Sequence, residues 1–131
     1  MKAKDLMIGN YLSYNGFEYR VIQITAGFDG DDSDSWTLEN GEDNVGEPIP
    51  ITPEFLDKNF ERERLDVWGY DRWFYTNDFI EIYIYEFNDG TYKVEIENIE
   101  IVNYSEVIHI CWIHELQNFL TLNGIDLEIK V

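Results

Sequence analysis

The stretch from Ile108 to Ile129 constrains the fold more than any other part of the chain. Its first residues, Ile108 to Trp112, are largely β-branched or aromatic and predict a buried strand. The next residues predict an amphipathic helix, because their apolar side chains recur at helical spacing on one face. That face comprises Ile113, Leu116, Phe119 and Leu120. Gly124 is a helix-stop signal after Asn123, and the alternation from Leu127 to Val131 predicts a short final strand.

Most of the remaining chain alternates between apolar and polar residues, as β-strands with one buried face do. Asn15-Gly16 and the segment Asn88 to Gly90 each separate two such runs, and both predict tight hairpin turns. In the run from Phe79 to Phe87, three isoleucines share one face, whereas Tyr83 and Tyr85 share the other. An amphipathic helix needs a sheet of this kind to cover its apolar side.

The sequence therefore predicts an α+β fold that is mostly β. Its N-terminal part is an SH3-like small barrel or meander, with a third strand at Trp36 to Leu38. A short helix follows, because Thr52 is a favourable N-cap and Pro53 a favourable first residue, and it ends near Asn59. An antiparallel sheet of four or five strands comes next, and the C-terminal helix is expected to pack on its apolar face.

The length of 131 residues fits a single domain that spans residues 1–131. A connector with two prolines, residues 47–51, separates the barrel-like strands from the rest of the chain. The alternative is therefore a domain with two subdomains, an SH3-like β part at 1–50 and an α+β part at 51–131.

Acidic residues outnumber basic ones by 27 to 9, which gives the chain a formal net charge of −18. Every charged residue between Arg20 and Lys58 is acidic. Such a field repels phosphate backbones and anionic lipids, so we expect neither direct nucleic-acid binding nor membrane binding. It attracts basic partners instead, although a high net charge also serves solubility alone.

The cysteine content and the N-terminal sequence indicate a cytoplasmic protein. The single Cys111 allows no internal disulfide and is expected to be a small core residue in a reducing compartment. The first ten residues hold no apolar run of signal-peptide length, and no apolar stretch of 18 residues occurs in the chain.

Three segments in the same order carry a family resemblance. They read KAKDLMIGNYLSYNG at residues 2–16, PIPITPEFLDKNFE at 48–61 and WIHELQNFLTLNGIDLEIKV at 112–131. Together they resemble an uncharacterised family of small proteins from gut bacteria and their prophage-like elements. Members of that family read roughly IGNY, then IPLTEEILLKNGF, then VHELQN with a G-I-x-x-E-I tail.

This chain departs from the family pattern in its middle segment, where Asn59 runs directly into Phe60 without the usual glycine. Its acidic loop after Gly27 is also longer than usual. The family has no assigned activity. The resemblance therefore implies the fold outline and a single domain, and it implies no chemistry.

Searches for catalytic motifs find incomplete patterns only. His114-Glu115 would need a second histidine at position 118 to bind zinc as metalloproteases do, and that residue is Asn118. His109, Cys111 and His114 lack a fourth ligand and the usual spacing, so we expect them to pack or to form ordinary hydrogen bonds. The acidic loop at 29–34 resembles a calcium loop in composition alone. The sequence predicts no catalytic residue, no cofactor and no metal, and favours a protein that is not an enzyme.

Six residues are candidates for an interaction surface: His114, Gln117, Asn118, Trp68, Tyr70 and Trp73. The three helix residues would form a polar face for a partner or a small ligand. The alternative is that Gln117 or His114 satisfies a main-chain group of the adjoining loop. The aromatic residues would stack on a sugar or a peptide, or else belong to the core and rim of the sheet.

Three functions are compatible with these features. The first is a noncatalytic protein-interaction module, encoded on a mobile element, that docks a protein partner or a second copy of itself through an aromatic sheet face or a sheet edge. The second is an acidic nucleic-acid mimic that occupies a DNA-binding protein and carries rows of carboxylates near phosphate spacing. The third is a small-ligand binder or unrecognised enzyme with its pocket between the N-terminal barrel and the helix.

Overall fold

The computed structural model describes residues 2–25, 35–65, 70–98 and 105–131. It confirms an α+β fold built mostly of strands, with two antiparallel sheets and a C-terminal helix. The elements are β1 (Tyr11–Tyr14), β2 (Phe17–Thr25), β3 (Ser35–Leu38), α1 (Pro53–Asn59), β4 (Glu61–Leu65), β5 (Tyr70–Thr76), β6 (Ile80–Glu86), β7 (Tyr92–Asn98), β8 (Ser105–Ile110) and α2 (Ile113–Leu122). No helix in the described parts of the chain is both long and apolar enough to cross a membrane.

The chain divides into two compact units. The first contains Met1–Pro50, Trp112–Leu127 and Val131, and the second contains Ile51–Cys111 and Glu128–Lys130. Helix α2 therefore groups with the N-terminal strands, whereas its apolar face was expected to pack on the second sheet. The physical reason lies in its polar side chains, which bond to the segment that leads into β1.

The first unit is built on a meander in which β2 lies between β1 and β3. The predicted turn at Asn15-Gly16 is confirmed, because both residues have positive φ and β1 pairs with β2 directly across them. Leu6, Leu12, Val21 and Leu38 form a buried cluster in this unit. Of the two predicted forms, barrel or meander, the described residues show the meander, with no closed barrel.

The second unit is built on a five-stranded sheet in the order β4-β5-β6-β7-β8. Helix α1 precedes it and starts as predicted, with the Thr52 hydroxyl accepting a hydrogen bond from the Phe55 amide at 3.1 Å. One face of this sheet, the inner face, carries the buried side chains Trp73, Ile82, Ile84, Val94, Ile96 and Ile110. Trp73 Nε1 donates to Asp57 Oδ1 at 2.9 Å, which fixes α1 to this face.

Two segments differ from their predicted secondary structure. Strand β4 was not predicted, because its sequence ERERL alternates charges and has no hydrophobic period. The predicted final strand at Leu127 to Val131 is wrong, since these residues form no strand and pair with none. Instead, the Asn59 side chain holds the Lys130 main chain, accepting from its amide at 2.7 Å and donating to its carbonyl at 2.8 Å. The predicted strand at residues 99–104 lies outside the described residues.

Gly46 gives a test of packing in the first unit. It has a φ of +107°, and a Cβ atom placed there would lie 3.0 Å from Leu12 Cβ. We expect Gly46→Ala to lower the free energy of unfolding by about 2–3 kcal/mol, combining backbone strain with overpacking. Urea unfolding followed by circular dichroism measures the change.

The matched control is Gly41→Ala, at a φ of +90° with nothing within 4 Å of the added Cβ. It isolates the backbone cost, which we expect to be about 1 kcal/mol. Equal losses for the two variants would show that the contact with Leu12 carries no cost.

Candidate functional site

Gln117 and Asn118 face the segment that leads into β1. Gln117 Nε2 donates to the Gly9 carbonyl at 3.1 Å, and its Oε1 accepts from the Tyr11 amide at 3.0 Å. Asn118 Nδ2 donates to the Asp5 carbonyl at 3.0 Å. Both side chains therefore satisfy main-chain groups of the N-terminal segment, as the structural alternative for Gln117 predicted.

A third amide, Asn10, completes this arrangement. Its Nδ2 donates to Asn118 Oδ1 at 2.8 Å, and its Oδ1 accepts from the Met7 amide at 2.7 Å. Asn10 is 2% exposed, so these bonds replace the water that its amide loses on burial. We call Asn10, Gln117 and Asn118 the amide clamp. Sequence reasoning missed Asn10, because nothing in its local pattern distinguishes a buried asparagine from a turn residue.

His114 lies in the first turn of α2 and is 4% exposed. Its Nδ1 has no hydrogen-bond partner among the described residues. Burial lowers the pKa of this imidazole below its usual 6.5, although Glu115 and Asp5 oppose the shift. The side chain is therefore held neutral inside the fold, where it offers no surface to a partner.

The three aromatic candidates do not form one exposed surface. Trp73 is 1% exposed and is a core residue, so its proposed role on a surface needs correction. Its ring packs edge-on against Tyr92, and the Arg62 guanidinium lies 5.0 Å from its centre. Tyr70 lies in β5, where its main chain pairs with Leu65. Trp68 lies outside the described residues.

The other face of the five-stranded sheet, which we call the outer face, carries three rows of side chains that run across the strands. The strand register defines each row, because residues directly opposite each other point to the same side. The first row is Glu63, Arg72, Tyr85, Lys93 and His109. The second row is Glu61, Phe74, Tyr83, Glu95 and Val107, and the third includes Thr76, Glu81 and Glu97.

The bases of the first row lie against the aromatic rings. The Arg72 guanidinium lies 4.4 Å from the centre of the Tyr83 ring and forms an ion pair with Glu63. Lys93 Nζ lies 5.2 Å from the centre of the Tyr85 ring. These cation–π contacts favour one orientation of each ring, and we call Tyr83 and Tyr85 the tyrosine platform.

Carboxylates gather at the opposite end of the outer face. Glu81 lies directly opposite Glu97, and Glu95 lies two residues along the same strand. Burial and the neighbouring carboxylates of Glu95 and Glu81 raise the pKa of Glu97 above its usual range. Tyr83 donates its hydroxyl hydrogen to Glu81 Oε2 at 2.9 Å, and burial together with this bond raises the pKa of Tyr83 to about 12.

A cavity of about 400 Å³ opens where α1 ends and β4 begins. Phe60, Phe74 and Tyr75 supply its aromatic wall. Its polar groups come from Lys58, Asn59, Glu61 and Thr76. The third predicted function expected a pocket in a different place, between the N-terminal strands and the C-terminal helix.

Comparison of the chain with models of protein families, with curated proteins and with solved structures finds no match. Within the described residues, no three His, Cys, Asp or Glu side chains are grouped so that they could hold a metal ion. Function must therefore be argued from the geometry of the clamp, the outer face and the cavity.

Replacing Gln117 of the amide clamp with leucine, a residue of similar size, is expected to destabilise the fold. Gln117→Leu leaves the Tyr11 amide and the Gly9 carbonyl without their partners, and we expect unfolding to become about 1–3 kcal/mol easier. Urea unfolding at pH 7 measures the loss. Thr121→Ala on the exposed side of the same helix is the control and should change stability by less than about 0.5 kcal/mol. A Gln117→Leu loss no larger than the control's would contradict the role of the clamp.

His114 predicts a pH dependence of stability. Because its folded pKa is lowered, the unfolded state binds a proton first, and stability falls as the pH drops below about 6.5. We expect His114→Gln to flatten the stability profile between about pH 7.5 and 5.5 relative to the unchanged chain. Unfolding curves at a series of pH values measure it.

The only other histidine, His109, is exposed and provides the matched control. His109→Gln removes the same side chain from an exposed position, so an equal change of slope in both variants would not be specific to His114. A slope that survives in His114→Gln would assign the dependence to other groups.

Proposed function

We propose that this chain is a noncatalytic protein-interaction module whose outer face binds an extended basic segment of another protein. One observation carries the proposal, namely that the tyrosine platform lies directly beside the opposed carboxylates Glu81 and Glu97. Such a face offers ring surface to apolar groups and carboxylates to lysine or arginine side chains.

The platform has the properties of a contact surface. Tyr83 and Tyr85 are half-buried and held in place by Arg72 and Lys93, so little side-chain entropy is lost when a partner covers them. Val107 is 48% exposed at the β8 end of the second row. Ordered aromatic rings with accessible apolar neighbours are typical of the central parts of interfaces.

The carboxylates supply the preference for a basic partner. Like charges directly opposite each other destabilise a sheet, and Glu81 and Glu97 are such a pair. A lysine or arginine placed between them would relieve this repulsion. The net charge of −18 attracts the same partners from a distance and raises their association rate.

The same features favour a basic protein segment over the two other occupants considered. Two copies of a chain with a charge of −18 repel each other, which disfavours self-association through this face. A nucleic-acid mimic would present carboxylates alone, but the first row places Arg72 and Lys93 on the same face. These bases pair with Glu63 and Glu95 on the same face, so the opposed Glu81 and Glu97 carry the preference for a basic partner.

A titration with a ten-residue peptide of alternating lysine and leucine tests the proposal. We expect the amide resonances of β6 and β7 to shift in ¹H–¹⁵N spectra and the affinity to fall as salt rises. Glu97→Gln should weaken binding by about three- to fivefold, since one ion pair is lost.

Glu18→Gln is the matched control, because it removes the same charge at an exposed position of β2. It should leave the affinity within about 1.5-fold of the unchanged chain, since only long-range attraction is reduced. Equal weakening by the two variants, or shifts confined to other strands, would show that the outer face does not bind the peptide.

A further inference from the structure

The cavity at the end of α1 has a mixed lining that selects one class of ligand. We propose that it binds a small aromatic zwitterion, a free aromatic amino acid being the simplest. Its volume of about 400 Å³ lies within the range of small-molecule sites. The cavity borders the outer face, with which it shares Glu61, Phe74 and Thr76, but binding of its ligand does not require a basic protein segment.

The aromatic residues of the cavity favour a ligand that contains an aromatic ring. Phe60 is 7% exposed and forms a fixed part of the wall, while Phe74 and Tyr75 are half-buried and follow each other in β5. The register places Phe74 on the outer face and Tyr75 on the inner face, so the cavity lies at the edge of β5 and is bordered from both faces of the strand. A planar ring gains more from such walls than a flexible alkyl chain does.

The two charged side chains of the lining favour a ligand that carries both a positive and a negative charge. Lys58 and Glu61 both line the cavity, one at the last turn of α1 and the other at the first residue of β4. A simple cation can pair with Glu61 alone and a simple anion with Lys58 alone, whereas a neutral ligand pairs with neither. A zwitterion is the charge class that can pair with both groups.

The main chain of β5 adds hydrogen-bonding groups. Strand β4 begins at Glu61, opposite Phe74, so Tyr75 and Thr76 extend beyond its end. Alternate residues of a strand direct their main-chain groups to opposite neighbours. One of these two residues therefore directs its N–H and C=O to the side where β4 supplies no partner. An ammonium or carboxylate group of the ligand can bond there.

Asn59 also lines the cavity, but its side-chain amide is already hydrogen-bonded within the protein. Asn59 donates to the Phe55 carbonyl at 3.0 Å and bonds the Lys130 main chain with both of its polar atoms. Its amide thus fixes the end of α1 against the C-terminal tail. The ligand charges are left to Lys58 and Glu61, on either side of it in sequence.

The test uses the full ¹⁵N-labelled chain and four compounds. Phenylalanine carries both charges and a ring, phenethylamine lacks the carboxylate, 3-phenylpropionate lacks the ammonium, and alanine lacks the ring. We expect phenylalanine to shift the amides of Phe60 and Thr76, with each half-charged analogue at least about threefold weaker. Alanine should cause no saturable shift.

Two exposed substitutions assign the charges without touching the core. Lys58→Met should make phenylalanine no tighter than phenethylamine, and Glu61→Gln should make it no tighter than 3-phenylpropionate. Glu54→Gln, at an exposed position of the same helix, is the control and should keep the order of the unchanged chain.

Three results would overturn the inference: no saturable shift at Phe60 or Thr76 with any compound, equal binding of phenylalanine and either analogue to the unchanged chain, or the same effect of Glu54→Gln as of Glu61→Gln. Because these compounds do not test binding of the lysine–leucine peptide, either site can fail while the other holds.

Discussion

The first unit depends on three amide side chains that join the two ends of the chain. Gln117 and Asn118 of α2 reach residues more than a hundred positions earlier, and Asn10 meets them from the N-terminal side. Each amide both donates and accepts, so these bonds satisfy polar groups of the segment before β1 at partly buried positions. The helix is therefore positioned by directional bonds as well as by its apolar face.

In the second unit, alternate residues of each strand point to opposite faces of the sheet, so the two faces carry different side chains. The inner face takes Trp73 and the buried isoleucines, whereas the outer face takes Arg72, Lys93 and the opposed carboxylates Glu81 and Glu97. Tyr85 lies between Arg72 and Lys93 in the first row, Tyr83 lies in the second, and Glu81 and Glu97 oppose each other in the third. Because one-residue shifts in register would exchange the faces, the pairing that buries the core also places these polar rows together on the outer face.

Local signals predicted the elements whose cause is local. Both glycine-containing hairpins, the Thr52 cap and the alternation in β6 could be read directly from neighbouring residues. Strand β4 could not, because an edge strand of alternating charges forms only when β5 supplies its partners. The partner of α2, the tail held by Asn59 and the rows of the outer face depend on pairing across the fold. The spacing of residues within one segment does not indicate which distant segment it will contact.

Our central claim is that the polar residues of α2 serve the fold, leaving binding to the sheet. Native-state hydrogen exchange of the Tyr11 amide tests it most directly, because this amide in β1 donates to Gln117 Oε1 on the helix. We predict that Tyr11 exchanges with the same opening free energy as the Leu120 amide within α2, since releasing one requires displacing the other. Exchange of Tyr11 at the rate of a free amide, with Leu120 still protected, would contradict the claim.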